Sequence, residues 1–347
     1  MNYRSNADSL HKINDLLEHC WLGTGEIFLQ WLCINHPSKY ADEWILCQTR
    51  GEFPYRPHSQ KVMPEKPPIV LTVAGFDPSS GAGVTADIKT IAAHGCYGIS
   101  CITAITVQST SGVKRVEAAD PVLVADTLEE LAADMEIGAV RIGMLGSGKV
   151  ANAVADFLGH AGPRGERLPN VVLDPILKSS SGADLLDEAG ARVLVGRLVA
   201  LSDVVTPNID EAYAMTGIKV QDLDQMRAAA ARLHEMGARA VVVTGGHLEK
   251  AIDLLSFTTK HGVEQEIFKA ERQRSNSTHG TGCAFATAMA CHLALDRGIA
   301  EATLLAKTYV TAAISNGHPL GRGVGPVHHL YRMNQQRRAA GSGSESS

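Results

Sequence analysis

From residue 67 onward the chain alternates short apolar runs with amphipathic stretches, and this alternation is the feature that most limits its fold. IVLTVA (69–74), ISCITAITV (99–107), AVRIG (139–143), NVVLD (170–174), DVVT (203–206) and ARAVVVTG (238–245) carry few polar residues. Runs of this length without polar alternation read as strands buried on both faces. Helix-period stretches lie between them, over about 82–94, 121–135, 149–158 and 221–236, with another opening at Asn208. AIDLLSF (251–257) and a run near 263–269 read as a hairpin, and two long helices, about 281–296 and 299–315, close the pattern. The alternation predicts an α/β domain whose mostly parallel sheet is covered on both faces. In such sheets ligands bind outside the carboxyl ends of the strands. The loops to read are therefore those after residues 74, 107, 143, 174, 206 and 244, with the turn before 281.

A net charge of −5 leaves no basic footprint for nucleic acid or an anionic membrane. No apolar run reaches the roughly 18 to 20 residues that span a bilayer. The opening MNYRSNADSLHK lacks a basic region followed by an apolar stretch, which predicts no signal peptide. Seven cysteines at irregular spacing, with no CxxC, argue for reduced thiols in the cytoplasm and against a zinc ribbon. Composition changes near residue 66: Trp21, Trp31 and Trp44 all precede it, and PYRPHSQKVMPEKPP (54–68) reads as a linker. The expected organisation is an extension at 1–66 without visible chemistry (short helices within 8–34), a domain at 67–333, and a flexible polar tail at 334–347.

Three loops have phosphate-binding character. Gly81-Ala82-Gly83-Val84-Thr85-Ala86 fits G-x-G-x-x-G/A after a strand and at a helix start. Six residues separate it from the strand end, and no acidic residue follows at the ribose position, so it reads as a substrate loop or a packing turn. Gly143 to Val150 approaches the Walker A spacing, but Val150 has no hydroxyl for Mg²⁺, and a plain turn with a solvated Lys149 is the better reading. Thr278-His279-Gly280-Thr281-Gly282-Cys283 precedes the small-residue helix AFATAMACHLAL. Glycines there let backbone N–H groups converge at a positive helix end, which makes an anion cradle. Cys283 in the first turn is expected to have a lowered thiol pKa. The alternative is a buried small side chain, and that is the reading for Cys291.

AGFDPSSGAGVTADIKT (74–90), ITAITVQSTSGV (102–113), RIGML (141–145), VLDP (172–175), VTPNIDEA (205–212), GGH (245–247), THGTGCAFATA (278–288) and GVGPVHH (323–329) follow one another in order. Together they resemble the hydroxymethylpyrimidine/phosphomethylpyrimidine kinases of thiamine biosynthesis, a branch of the ribokinase-like superfamily. The resemblance covers about residues 67–333. It implies a ribokinase-like three-layer α/β/α sandwich with a mostly parallel central sheet. It also implies ATP- and Mg²⁺-dependent phosphorylation of 4-amino-5-hydroxymethyl-2-methylpyrimidine and of its monophosphate. Members are often homodimers.

The same resemblance assigns roles. Gly280, Thr281 and Gly282 would hold the transferring phosphoryl group, with Cys283 as the base on the attacking hydroxyl. Cys283 acting as a nucleophile with His279 is the competing reading. Asn208 and Glu211 match N-x-x-E and would meet Mg²⁺ or its waters, although the spacing also makes a helix capping box. Gln108 would read the pyrimidine edge, since an amide both donates and accepts. Met144 would pack on the ring, and Gly75, Asp77 and Ala82 would close one side of the pocket, unless Asp77 caps its own turn. Two lysines expected to meet phosphate are missing: Ser180 and Thr244 stand in their places, with Lys178 near enough to compensate. These departures bear on the second phosphorylation more than on the first. A pyridoxal-type vitamin kinase and a non-catalytic pyrimidine-binding protein are the alternatives.

Overall fold

The structure, a computed structural model, describes residues 66–160, 167–179, 182–246, 251–270 and 275–333. The extension, most of the linker, Ser180, His247 and the tail from 334 lie outside the described residues. The strands are β1 (Ile69–Phe76), β2 (Tyr97–Ser109), β3 (Gly112–Ala118), β4 (Ile137–Ile142), β5 (Val171–Leu173), β6 (Val204–Val205), β7 (Ala240–Gly245), β8 (Ala251–Thr259) and β9 (Gly262–Ala270). They form one nine-stranded sheet in the order β3-β2-β1-β4-β5-β6-β7-β8-β9. Neighbours from β2 to β7 are parallel, and the β2–β3, β7–β8 and β8–β9 pairs are antiparallel.

The helices are α1 (Gly83–Ala93), α2 (Pro121–Asp134), α3 (Gly148–Gly159), α4 (Glu188–Val193), α5 (Ile209–Thr216), α6 (Leu223–Glu235), α7 (Thr281–Ala294) and α8 (Ile299–Ser315). α4 runs on through a π-helical turn (Leu194–Leu198) into a last α-turn (Val199–Leu201). Two apolar cores separate the layers. Leu71, Val73, Val140, Ile142, Val241 and Val243 pack toward α2 to α6. Val70, Ala139, Val172 and Val242, their alternates, pack toward α1, α7 and α8. Both sides of each central strand are therefore buried, which is why the runs lack polar alternation. This is the three-layer α/β/α sandwich with a mostly parallel sheet.

Two elements were not foreseen. β3 pairs with the far half of β2, and its sequence GVKRVEA is polar because it lies at the sheet edge. α4 was hidden by Gly190 and by Gly196 in the π-turn that follows. Gly190 has a reason: a Cβ there would fall 2.3 Å from Leu186 in the turn that leads into α4.

Because β2 and β4 flank β1, the chain leaves β1 in opposite directions, and the crevice between the ends of β1 and β4 is the switch point of the sheet. Behind it, on the α7 side, polar groups are buried: Thr72, Asp87, Arg141, Asp174 and Thr287. Farther from the crevice the same layer holds a histidine pair. His94 stands edge-on to His292 with ring centroids 4.9 Å apart, and neither Nε2 has a partner.

Burial, with the nearby His94, Arg332 and Arg297 charges, pushes the His292 pKa down to about 4. A histidine whose folded pKa is lowered costs stability as pH falls from its unfolded value near 6.5 toward 4. In urea titrations, His292→Gln should lose about 2 kcal/mol less stability than the parent between pH 7 and pH 5. Identical losses would show that the ring titrates normally.

Candidate active site

The cradle is built by one residue's backbone. Gly280 caps α7 with φ at 81°, the left-handed region that favours glycine. A Cβ on Gly280 would lie 1.8 Å from the carbonyl oxygen of Gly81, so the cradle and the 77–83 loop touch directly. No side chain caps α7, and none caps α1, whose N-cap is Ala82. Thr281 donates its hydroxyl to the Thr278 carbonyl at 2.7 Å. Gly282 is exposed, with its Cα side toward Asp174 Oδ1. The uncapped first-turn N–H groups of α7 suit an anion.

Cys283 sits beneath this turn and is only 7% exposed. The Gly83 backbone N–H faces its sulfur. The expected lowering of the thiol is overturned: burial pushes the pKa up to about 12, and Asp174 and Asp87 add to the rise while Arg141 opposes it. The helix end is present, but desolvation and two carboxylates outweigh it.

On the substrate side, Gly75 leaves room for Met144, since a Cβ there would fall 2.8 Å from the Met144 sulfur. Met144 is buried with Ala104 and Leu185 in a small apolar cluster at the strand ends. Gln108, at the end of β2, accepts the Thr106 hydroxyl at 3.2 Å. Asp77 accepts from the Ser79 backbone (2.8 Å) and hydroxyl (2.7 Å), the Ala82 N–H (3.0 Å) and His279 Nε2 (2.9 Å). Burial would raise its pKa, but the hydrogen bonds from His279 and Ser79 hold it below the ordinary value. Asp77 thus organises its own turn, as one reading of the sequence had it.

His279 is the residue that the role assignments missed. Its Nε2 meets Asp77 and lies 3.3 Å from Gln108 Nε2, so it ties the substrate loop to the cradle and is not paired with Cys283. Its only sequence signal is its place in THGTGC. GVGPVHH has a structural role here as well. The N–H of His279 donates to Gly325, that of Val327 donates to His279, and that of Val324 donates to Thr110 in the β2–β3 turn.

On the opposite side, Asn208 and Glu211 form a complete capping box. Asn208 Oδ1 accepts from the N–H groups of Asp210 and Glu211, both at 2.9 Å, and Glu211 Oε2 accepts from Asn208 N at 2.9 Å. Thr244 lies alongside Asn208 in a parallel bridge, with its N–H on the Pro207 carbonyl. Burial, then the charge of Asp174, pushes the Glu211 pKa up to about 8. Lys178 does not join this group. It is 66% exposed and paired with Asp184 at 3.1 Å, so the expected compensation for the missing lysines is not seen. A cation that was not foreseen stands near Thr244 instead: Lys307 of α8 pairs with Asp253, which also accepts the Gly245 N–H.

The crevice therefore joins an anion cradle, a thiol, an apolar slot with an amide at its edge, and a carboxyl short of positive charge. A family model described as phosphomethylpyrimidine kinase matches residues 77–328. The chain is 43% identical over 263 residues to a bifunctional thiamine biosynthesis protein of Geobacter sulfurreducens, covering 75% of this chain and 52% of that protein. It thus spans about half the length of that relative. It is 39% identical over 273 residues to the hydroxymethylpyrimidine/phosphomethylpyrimidine kinase of Streptomyces coelicolor, covering 78% and 98%. Among solved structures, an ADP complex of Bacillus subtilis pyridoxal kinase gives a TM-score of 0.68 at 32% identity, covering 77% and 100%. The phosphomethylpyrimidine kinase of Clostridium difficile gives 0.62 at 34%, covering 71% and 99%. Among the described residues no helix is long and apolar enough to cross a membrane.

A thiol held this high should be slow to alkylate. At pH 8, iodoacetamide should modify Cys283 at about a hundredth of the rate of free cysteine, followed by peptide mass spectrometry. Modification at the rate of free cysteine would contradict the burial argument.

Proposed function

The chain belongs to the phosphomethylpyrimidine kinase family, and from that membership we propose that it transfers the γ-phosphoryl group of ATP to 4-amino-5-hydroxymethyl-2-methylpyrimidine and then to the resulting monophosphate. The observation that carries this reading is the junction of the Gly280 cradle and Cys283 with the slot of Gly75, Met144 and Gln108 at one crevice.

The roles follow from the geometry. The γ-phosphoryl group would lie on the first-turn N–H groups of Gly282 and Cys283, beside Thr281, whose own N–H donates to the Thr278 carbonyl. The ring packs on Met144, and the Gln108 amide reads its amino and ring-nitrogen edge. The alcohol oxygen attacks the γ-phosphorus, the bond to the bridging β,γ-oxygen breaks, and the hydroxyl proton passes to the Cys283 thiolate. With the thiol pushed up to about 12, the thiolate that takes this proton is the minor form of Cys283. ADP and the phosphate ester leave. Asp77, Ala82 and His279 hold the substrate loop in place.

Mg²⁺ would be held beside Glu211, whose half-buried carboxyl has no cation paired with it among the described residues, with Asn208 and Thr244 next to it. The ion supplies charge neutralisation at the phosphates, and water-mediated contact suits its coordination habits. Asn208 Oδ1 and Glu211 Oε2 are both occupied by the cap, so the other Glu211 carboxyl oxygen would be the main protein oxygen. The domain that does this work spans residues 67–333. The expected homodimer has a candidate surface in the exposed Ile102, Ile105 and Val107 of β2. The four described cysteines are free thiols, which agrees with a reducing cytoplasm.

A second reading, a pyridoxal-type kinase, is favoured by the TM-score of 0.68 to the Bacillus enzyme. Turnover of both alcohols, resolved by mass spectrometry, decides between them, and faster pyridoxal turnover would overturn the pyrimidine reading. With Lys178 turned to Asp184 and threonine at 244, the second transfer should be the slower one, so the monophosphate should accumulate before the diphosphate. Cys283→Ala should lower kcat by about 10² to 10⁴, and a loss under about threefold would exclude it as the base. Glu211→Gln should raise the Mg²⁺ concentration needed for half-maximal rate by about tenfold, and an unchanged requirement would remove Glu211 from the metal site.

A further inference from the structure

Arg141 has no role in the scheme above, yet it lies directly behind the reacting groups. Its side chain is fully buried, and among the described residues no other lysine or arginine is. One guanidinium nitrogen is 3.0 Å from Asp87 Oδ2 on α1, and another is 2.5 Å from Asp174 Oδ2 after β5. Its Nε has no partner. A Cβ on Gly143 would fall 1.9 Å from Arg141 Nη1, so the glycine makes room for the guanidinium.

A purely structural ion pair would need only Asp87. That carboxylate is already well satisfied: Thr72 donates to Oδ2 at 2.6 Å and Thr287 donates to Oδ1 at 2.7 Å. The second guanidinium nitrogen instead reaches Asp174, whose other oxygen lies beside Gly282 of the cradle. Arg141 also faces the Cys283 sulfur. The charged groups that face this thiol are therefore Arg141 from β4, Asp174 from the loop after β5, and Asp87 from α1, with the Gly83 N–H between them. Two of the three are negative. Without Arg141, a thiolate would form in a buried site whose nearest charges both repel it. A buried ion network of this kind is weak evidence for stability, since well-packed apolar residues do as well. Its position points to chemistry.

We propose that Arg141 is a positioning residue of the transfer step, the counter-charge that lets Cys283 stand as a thiolate when the alcohol gives up its proton. This rests on the kinase reading. It assigns the counter-charge of the sulfur to a buried side chain directly behind it. Lysine in its place keeps one positive charge but loses the planar fork that reaches two carboxylates and the sulfur together.

The test uses Arg141→Lys alone and combined with Cys283→Ser, in the full-length chain. Arg141→Lys should leave both KM values within about twofold, lower kcat at pH 7 by about tenfold, and move the rising limb of kcat against pH upward by about one unit. In the Cys283→Ser background the same change should cost under about twofold, because the coupled partner is gone. Equal losses in both backgrounds, or an unmoved limb, would reduce Arg141 to a packing residue.

A second measurement needs no substrate. Below its pKa a thiol alkylates by its thiolate fraction times a nucleophilicity that rises with pKa, so a rise of about one unit has a net cost of about threefold. At pH 9 iodoacetamide should therefore modify Cys283 about threefold more slowly in Arg141→Lys than in the parent. Loosened packing would make it faster, which would overturn the proposal. This arm also stands if the parent phosphorylates neither alcohol, so failure of the kinase reading and failure of the Arg141 role are separable. If Arg141→Lys does not fold, Asp87→Asn takes its place: removing one repelling charge should move the limb down, and an upward or absent shift would overturn the proposal.

Discussion

The guanidinium of Arg141, wedged between Asp87 and Asp174, is the contact on which the crevice depends. It joins α1, β4 and the end of β5, and through Thr72 and Thr287 it reaches β1 and α7. These are the elements that meet where the sheet reverses direction. Removing one partner of such a buried network costs about 3 to 5 kcal/mol, because the others are left charged and dry. Apolar side chains alone would pack the layers without fixing the depth of α7 against the strands. The polar seam fixes it, and with it the height of the cradle over the sulfur.

The helices differ in how their first turns are satisfied. Asp120, Ser147, Asp187, Asn208 and Asp222 cap α2, α3, α4, α5 and α6 with their own side chains. The helices that open onto the crevice, α1 and α7, carry Ala82 and Gly280 at that position and have no such cap. A cap satisfies N–H groups locally and removes them from use. α8, with Gly298 at its N-cap, has no side-chain cap either, so α2 to α6 are finished in themselves while first-turn donors stay uncapped at α1, α7 and α8, of which α1 and α7 open onto the crevice.

Most of the fold was legible because the strands are buried on both faces, which writes them as unbroken apolar runs. The edge strand β3 was not legible, since an edge tolerates polar residues, and α4 was masked by Gly190, which makes room for Leu186 of the preceding turn. In the site, motif residues such as Gly280, Gln108 and Met144 came together as their order implied. The sign of the Cys283 shift did not follow from sequence. A helix N-terminus is visible in a string of letters, but Asp87 and Asp174, which lie 109 positions or more away in the chain, are brought to the sulfur only by folding. The Asn208–Glu211 capping box and the Asp77 turn, by contrast, were open readings of the sequence, because those partners lie within five residues in the chain.

The contact between Gly280 and the Gly81 carbonyl also bears on how a protein of this kind can change its diet. A single methyl group at 280 would collide with the backbone of a loop almost the whole domain away in sequence. Neither loop can drift while the other stays still. An ancestor that acquired a new alcohol by reshaping the 77–83 turn would have lost its phosphate grip in the same step. The open route to novelty is the far end of β2, where side chains line the slot and no backbone of the cradle is pressed against them. A change in what the slot accepts is therefore easiest in the side chains near Gln108, whereas a change in the cradle backbone disturbs both loops at once.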